Sequence, residues 1–222
     1  MITVHHLANS RSQRVLWLLE ELDIPYEVKR YERDPVTMLA PAALKAVHPL
    51  GKSPVITDGG ATIAETGVIV DYLIRTYGEG RLIPPADTAE RRLYDYWLHY
   101  AEGSAMPPLV MKLIFTAVPK SRQMPAFMRP LAKILFGGVA KGYVDPNIAT
   151  HVAFWSSSLE HSPYFAGAEL TGADIMMSFP VEAAATRADL PDRLRDYLGR
   201  LHERPAYQRA LVKGGPYALM GA

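Results

Sequence analysis

Asn9, Ser10, Arg11 and Ser12 set four polar side chains in a row just before an apolar-periodic helix, and Gln13 completes an S-x-x-Q spacing from Ser10. Small hydroxyl and amide groups at a helix start do two kinds of work. They cap the unpaired N–H groups of the first turn, and beside the positive end of the helix they stabilise an anion such as the sulfur of a ligand. The two roles do not compete, because one hydroxyl can accept from an amide while donating its proton elsewhere. Arg11 would add positive potential at the same joint, or stand as an ordinary exposed side chain of a first turn.

Two further stretches carry chemistry. In "GKSPV" (51–55) the proline opens a strand, where its missing N–H costs least. A cis Ser53–Pro54 bond would turn the Ser53 backbone outward, although an isolated Ser-Pro is trans by default. In "AETGVIVDYL" (64–73), Glu65 and Thr66 stand before another apolar-periodic helix, with Thr66 as its natural N-cap. Free N–H groups there suit a carboxylate, and a neighbouring glutamate suits an ammonium group. Together they suit the head of an α-amino acid, unless both residues serve only as caps.

The elements that must hold these groups follow from periodicity. "ITVHHL" (2–7) suits a strand, Val15, Leu16, Leu18, Leu19 and Leu22 recur at helical spacing, and "IPYEVKRYE" (24–32) returns as a strand. This is a βαβ unit with parallel pairing. A looser helical stretch "MLAPAALKAV" (38–47) follows, and then "PVIT" and "ATIA" flank Asp58-Gly59-Gly60, a hairpin signal. The helix "TGVIVDYLIRTYG" ends at Gly78. The order βαβαββα predicts a small mixed sheet over residues 1–78. "EGRLIPPADT" (79–88) reads as a linker, and residues 89–222 read as all-α. Pro107, Pro108, Pro119, Pro125, Pro130 and Pro146 predict several helix breaks between 104 and 146. "TGAD" (171–174) is a capping box, with Thr171 as cap and Asp174 reaching back, and it reads as structural.

Composition narrows the function. The chain has 222 residues, is 49% apolar and carries a formal charge of +1, so it offers no long basic run for nucleic acid. With no cysteine, disulfides, thiolate metal sites and a cysteine nucleophile are excluded. No metal site is expected. "LVMKLIFTAV" and "LAKILFGGVA" are about ten residues each and contain lysine, well short of the roughly 20 residues of a membrane span. No secretory leader is visible, and a cytoplasmic protein is expected.

"SRSQRVLWLLEELDIPYE", "HPLGKSPVITDG", "AETGVIVDYL" and "LTGADIMMSFPVEAA", in this order and spacing, resemble the glutathione transferases, above all the bacterial and fungal branch with an HPLGKSP motif. The resemblance spans essentially the whole chain. It implies a thioredoxin-like domain followed by an all-helical one, and a homodimer. It implies that Pro54 is cis, that the Ser53 backbone pairs with the cysteinyl part of glutathione, and that Glu65 and Thr66 hold the γ-glutamyl head. Lys52 would lie near the glycyl carboxylate, with His48 at the rim.

The resemblance also gives the opening joint its task, which is to ionise the glutathione thiol. A free cysteinyl thiol has a pKa of about 8.5, and lowering it by two units takes roughly 2.7 kcal/mol of thiolate stabilisation. With no tyrosine in residues 1–25 and no cysteine, a serine-type site remains. In serine-type classes the serine stands five positions before the "RV", and that count lands on Asn9, one residue before Ser10. Ser10 is taken first, Asn9 next and Ser12 third. The electrophile would sit between the domains, against Tyr96, Trp97, His99, Tyr100 and Met106, although such an aromatic stripe also suits a core or a subunit interface. The implied activity is addition of glutathione to an apolar electrophile, as in detoxification. A glutathione-dependent peroxidase or reductase, and a non-catalytic ligand-binding or interaction protein of the same fold, are the alternatives.

Overall fold

The computed structural model describes residues 1–34, 37, 39–121 and 123–220. Six residues, Ile2–Leu7, form β1, followed by α1 (Ser12–Glu21) and β2 (Tyr26–Tyr31). After the short α2 (Ala42–Lys45) come β3 (Val55–Asp58), β4 (Ala61–Ala64) and α3 (Thr66–Tyr77). The sheet order is β2-β1-β3-β4. β1 pairs parallel with β2, placing Val4 opposite Val28, and antiparallel with β3, placing Val4 opposite Ile56. The hairpin from β3 to β4 turns at Gly59-Gly60, as its sequence predicts. Of the loose helical stretch 38–47 only four residues form α2. Met38 lies outside the described residues, and Pro41 precedes the helix in extended backbone.

The described residues beyond α3 are helical apart from turns and a single bridge between Tyr164 and Gly167. They form α4 (Ala89–Tyr100), α5 (Met106–Ala117), α6 (Arg129–Val139), α7 (Asp145–Ser158), α8 (Gly172–Ala185), α9 (Asp192–His202) and α10 (Pro205–Gly214). Only some of the predicted helix breaks form. Pro130 lies in the first turn of α6, while Pro107, Pro108 and Pro146 follow directly on the π-helical turns 101–105 and 140–144, so the chain stays helical through them. Pro119 lies in a 3₁₀ turn, and Pro125 precedes another. Residues 101–105 form a π-helical turn between α4 and α5.

The core is built around α1 and α8. Nine of the ten α1 residues are buried, and α8 is buried from Gly172 to Ala184. Both helices are enclosed by their neighbours, and the charged side chains they bury, Arg14, Glu20, Asp174 and Glu182, each make hydrogen bonds. Trp17 on α1 meets Tyr207 on α10 edge to face, so the start of the chain packs against its end. No described helix is long and apolar enough to cross a membrane.

Candidate functional site

The parallel β1 ends at Leu7, and the chain turns at Asn9 into α1. Asn9 takes φ 52°, a left-handed backbone that Asn tolerates better than most residues. This turn, the start of β3 and the start of α3 open on one side of a cleft of about 730 Å³, within the range of small-molecule sites. The helical region lines it with Met106, Leu109, Val110 and Leu113 from α5, Phe179 from α8 and Tyr217 near the chain end, together with the charged Glu102 and Arg187.

Ser10 is buried yet lines the cleft. Its Oγ accepts from the backbone N–H of Ser12 at 3.2 Å, lies 2.7 Å from Ser12 Oγ and 3.4 Å from Ser53 Oγ. The S-x-x-Q box itself does not form. The helix begins at Ser12 with Arg11 in the N-cap position, and no side chain makes a cap bond there; Gln13 Nε2 is buried without a partner. Asn9 also lines the cleft, but its Oδ1 accepts from the N–H of Ala218 at 2.7 Å and ties the joint to the chain end. Ser12 is a correction: it is fully buried behind Ser10, outside the cleft lining, with its Oγ held between Ser10 Oγ and Nδ1 of His6.

Across the turn, the Ser53–Pro54 bond is cis. The Ser53 hydroxyl stitches the strand start to β1, donating to the His5 carbonyl at 2.9 Å and accepting from the Leu7 N–H at 3.2 Å. Among the described residues the backbone N–H and C=O of Ser53 make no backbone hydrogen bond. They suit an extended peptide laid along this edge.

At α3 the capping expectation shifts by one residue. Glu65 occupies the N-cap position with φ 71°, its carboxylate makes no cap bond, and it is exposed in the cleft. Such a backbone costs of order 1–3 kcal/mol in a non-glycine residue and marks a site where surroundings impose it. Thr66 is the first helical residue, and its Oγ1 accepts from Arg14 at 3.4 Å. Lys52, exposed, and His48, half-buried, also line the cleft.

Of the proposed electrophile residues only Met106 reaches the cleft. Trp97 turns the other way, with its ring 4.5 Å from Phe165 and 5.3 Å from Phe154 between centroids. Tyr100 bonds His151 and accepts from Trp155 Nε1 at 3.1 Å. Tyr96 stacks on Tyr100, and His99 is exposed outside the cleft lining. The stripe is core and outer surface because α4 packs its aromatic face against α7.

Sequence reasoning missed a second feature of the cleft. Arg14, 2% exposed, donates to Glu102 on the π turn and to the Met176 carbonyl at 2.8 Å, and Arg11 reaches both Glu102 oxygens at 3.0 Å. Both guanidiniums lie over the Phe179 ring, at 5.0 and 5.4 Å. Burial opposes ionisation of Glu102, but Arg14 and Arg11 outweigh it and hold the carboxyl below its ordinary range. Arg11 is thus a paired wall residue, not a free positive charge. The available signal was an arginine at position 14 within the apolar stripe of α1, since a cation in a buried stripe needs a partner. Among the described residues no group of three or more His, Asp or Glu is placed to hold a metal ion.

Comparison with known proteins sharpens the picture. Residues 10–76 match the family described as the glutathione S-transferase N-terminal domain. Glutathione S-transferase 3 of Schizosaccharomyces pombe is 36% identical over 90% of this chain and 77% of its own length. A glutathione S-transferase crystal structure from Actinobacillus pleuropneumoniae aligns with a TM-score of 0.80 at 32% identity, over 100% of this chain and 97% of that one. The theta class enzyme from Xanthomonas axonopodis pv. citri, solved with glutathione bound, aligns with a TM-score of 0.72 at 25% identity, covering 94% of this chain and 96% of that one.

Proposed function

This chain belongs to the glutathione transferase family and is a glutathione transferase, and from that premise we propose how its own residues serve the reaction. Glutathione lies extended along the start of β3, with its cysteinyl part paired to the Ser53 backbone beside the cis Pro54. Its γ-glutamyl ammonium meets Glu65, and its γ-glutamyl carboxylate meets the first N–H groups of α3 at Thr66. Its glycyl carboxylate lies toward Lys52, with His48 at the rim. The sulfur then rests against the Ser10 hydroxyl at the start of α1.

In this serine-type arrangement the protein's task is to favour thiolate over thiol. One hydroxyl donor and the dipole of α1 bear on the sulfur, and a two-unit depression asks for about 2.7 kcal/mol. Asn9 is the second candidate for the sulfur contact, with its Oδ1 already committed to Ala218. The apolar wall of Met106, Leu109, Val110 and Phe179 takes an apolar electrophile, and proximity to the thiolate supplies the remaining acceleration.

The observation that carries this reading is the meeting, in one cleft, of a capped but cleft-facing Ser10 and a Ser53 backbone without a backbone partner among the described residues. The test is turnover of a chloronitrobenzene-type electrophile and of a hydroperoxide, each with glutathione. Conjugation is expected. Peroxide reduction alone would move the activity to the peroxidase reading, and glutathione binding with neither activity would favour a ligand-binding protein.

A homodimer and a cytoplasmic location belong to the same proposal. Exposed Val68 on α3 and Leu93 and Tyr96 on α4 give a second copy an apolar surface to cover. Sedimentation giving the mass of one chain would contradict the dimer.

A further inference from the structure

The Ser10 hydroxyl does not stand alone. Ser10 Oγ lies 2.7 Å from Ser12 Oγ, and Ser12 Oγ lies 2.8 Å from His6 Nδ1. A cleft-facing hydroxyl is therefore joined by a row of three polar atoms to an imidazole that is 3% exposed. The reaction as described above uses neither Ser12 nor His6.

Proton counting gives the row two possible directions. Each serine carries one hydroxyl proton. When Nδ1 is bare, Ser12 donates to it, Ser10 donates to Ser12, and Ser10 meets the cleft with lone pairs only. When Nδ1 carries a proton, it donates to Ser12, Ser12 donates to Ser10, and the Ser10 proton is released toward the cleft. Ser10 also accepts from the Ser12 N–H at 3.2 Å in either state. Ser53 Oγ is the other taker of the Ser10 proton, but at 3.4 Å it is the weaker one and already donates to the His5 carbonyl.

We propose that His6 is a positioning residue for the sulfur: a proton on its Nδ1 turns the two-serine row outward so that Ser10 donates to the thiolate, and a bare Nδ1 turns the row inward. The inference rests on the glutathione site proposed above.

The groups around the ring make the neutral form its working state. Burial is the largest influence and lowers the His6 pKa from its ordinary value of 6.5, and Arg30 lowers it further. The backbone of Gly214 at the end of α10, which hydrogen-bonds the ring, and Glu32 beyond β2 pull the other way without prevailing. A neutral imidazole holds its one proton on either nitrogen. The outward row therefore needs the Nδ1–H tautomer and no buried charge, and it gives up the Nε2–H bond to the Gly214 carbonyl in exchange for the Ser10 bond to the thiolate. In balance, the S–H bond of glutathione breaks and one proton goes to bulk solvent. The ring keeps its single proton, carried on Nδ1 in place of Nε2, and each serine keeps one O–H.

The test uses the full chain labelled with ¹⁵N in its imidazoles, read by NMR at neutral pH without ligand, with glutathione, and with S-methylglutathione, whose sulfur cannot ionise. Glutathione should move His6 from the Nε2–H to the Nδ1–H pattern, and S-methylglutathione should bind and leave it unmoved. Binding of both with no tautomer change would overturn the relay and leave the site standing. Binding of neither would overturn both.

Variants give a second readout in the thiolate absorbance of bound glutathione. Ser12→Ala and His6→Leu should each raise the thiol midpoint by about one unit, a tenfold loss of thiolate below that midpoint, with affinity held within about twofold. His6→Asn, which keeps a donor near the position of Nδ1, should stay closer to the parent. Should His6→Leu fail to fold, Ser12→Ala decides alone: a midpoint equal to the parent's would sink the proposal.

Discussion

The starts of α1 and α8 carry the same kind of sequence signature and end in opposite states. At α8 the box closes. Thr171 Oγ1 accepts from Ala173, while Asp174 accepts from the Thr171 N–H and hydroxyl at 3.0 Å, from Phe165 N–H at 2.9 Å and from Tyr197 at 3.3 Å. At α1 the third-residue partner, Gln13, is buried with its amide nitrogen unpaired, and the first hydroxyl is left at a cleft wall with a buried row behind it. A carboxylate can accept four bonds and closes a cap completely. At α1 the N-cap position falls on Arg11 with no side-chain cap bond, so Ser10 stands one residue outside the helix start with its hydroxyl at the cleft. The comparison teaches that S/T-x-x-D/E/Q spacing locates a helix start without deciding whether that start is structural or functional.

The largest effect expected from breaking this contrast is at α8. Asp174→Ala strands four buried donors and should cost about 3–5 kcal/mol in denaturant unfolding. It should also remove a pH slope. Burial pushes the Asp174 carboxyl up to about 6 despite its four hydrogen bonds. A folded-state pKa above the unfolded value means the folded chain holds the proton more tightly. The Asp174 contribution to the parent's stability is therefore fully present below pH about 4 and is lost as pH rises through about 6, and the variant should lack that contribution.

At α1 the effect should be on chemistry. Ser10→Ala should lower conjugation near pH 6.5 by about ten- to a hundredfold, corresponding to a rise of one to two units in the bound thiol's pKa, while glutathione affinity and folding change little. An unchanged rate would move the sulfur contact to Asn9 or to the backbone. Glu65→Ala should weaken glutathione binding by about tenfold or more, the loss of a charged hydrogen bond, with turnover at saturation largely kept. A fall in saturated turnover at unchanged affinity would contradict its place at the head of the ligand. The smallest effect belongs to Gln13→Met. It removes an amide nitrogen that has no partner, so unfolding should shift by less than about 1 kcal/mol. A loss as large as at α8 would mean the two starts are alike after all.

Much of the architecture was legible because it is local. The period of β1, α1 and β2, the Gly59-Gly60 turn and the Thr171–Asp174 box are each set by residues within a few positions of one another, and each forms as its spacing predicts. That Ser10, His48, Lys52, Ser53, Glu65 and Thr66 belong together was legible through the resemblance of four motifs, and they line one cleft. What stayed hidden is tertiary. Trp97 and Tyr100 face α7 instead of the cleft because of where α7 packs, which no spacing within α4 encodes. The Arg14–Glu102 pair joins residues 88 positions apart. Ser12 differs from Ser10 only in lying one turn position deeper, on the side of His6.

The most direct measurement is the thiolate absorbance of glutathione bound to the intact protein, followed against pH. Ionisation of the sulfur at the start of α1 predicts a midpoint one to two units below the free thiol's value of about 8.5. A bound thiol that titrates at about 8.5 would contradict it.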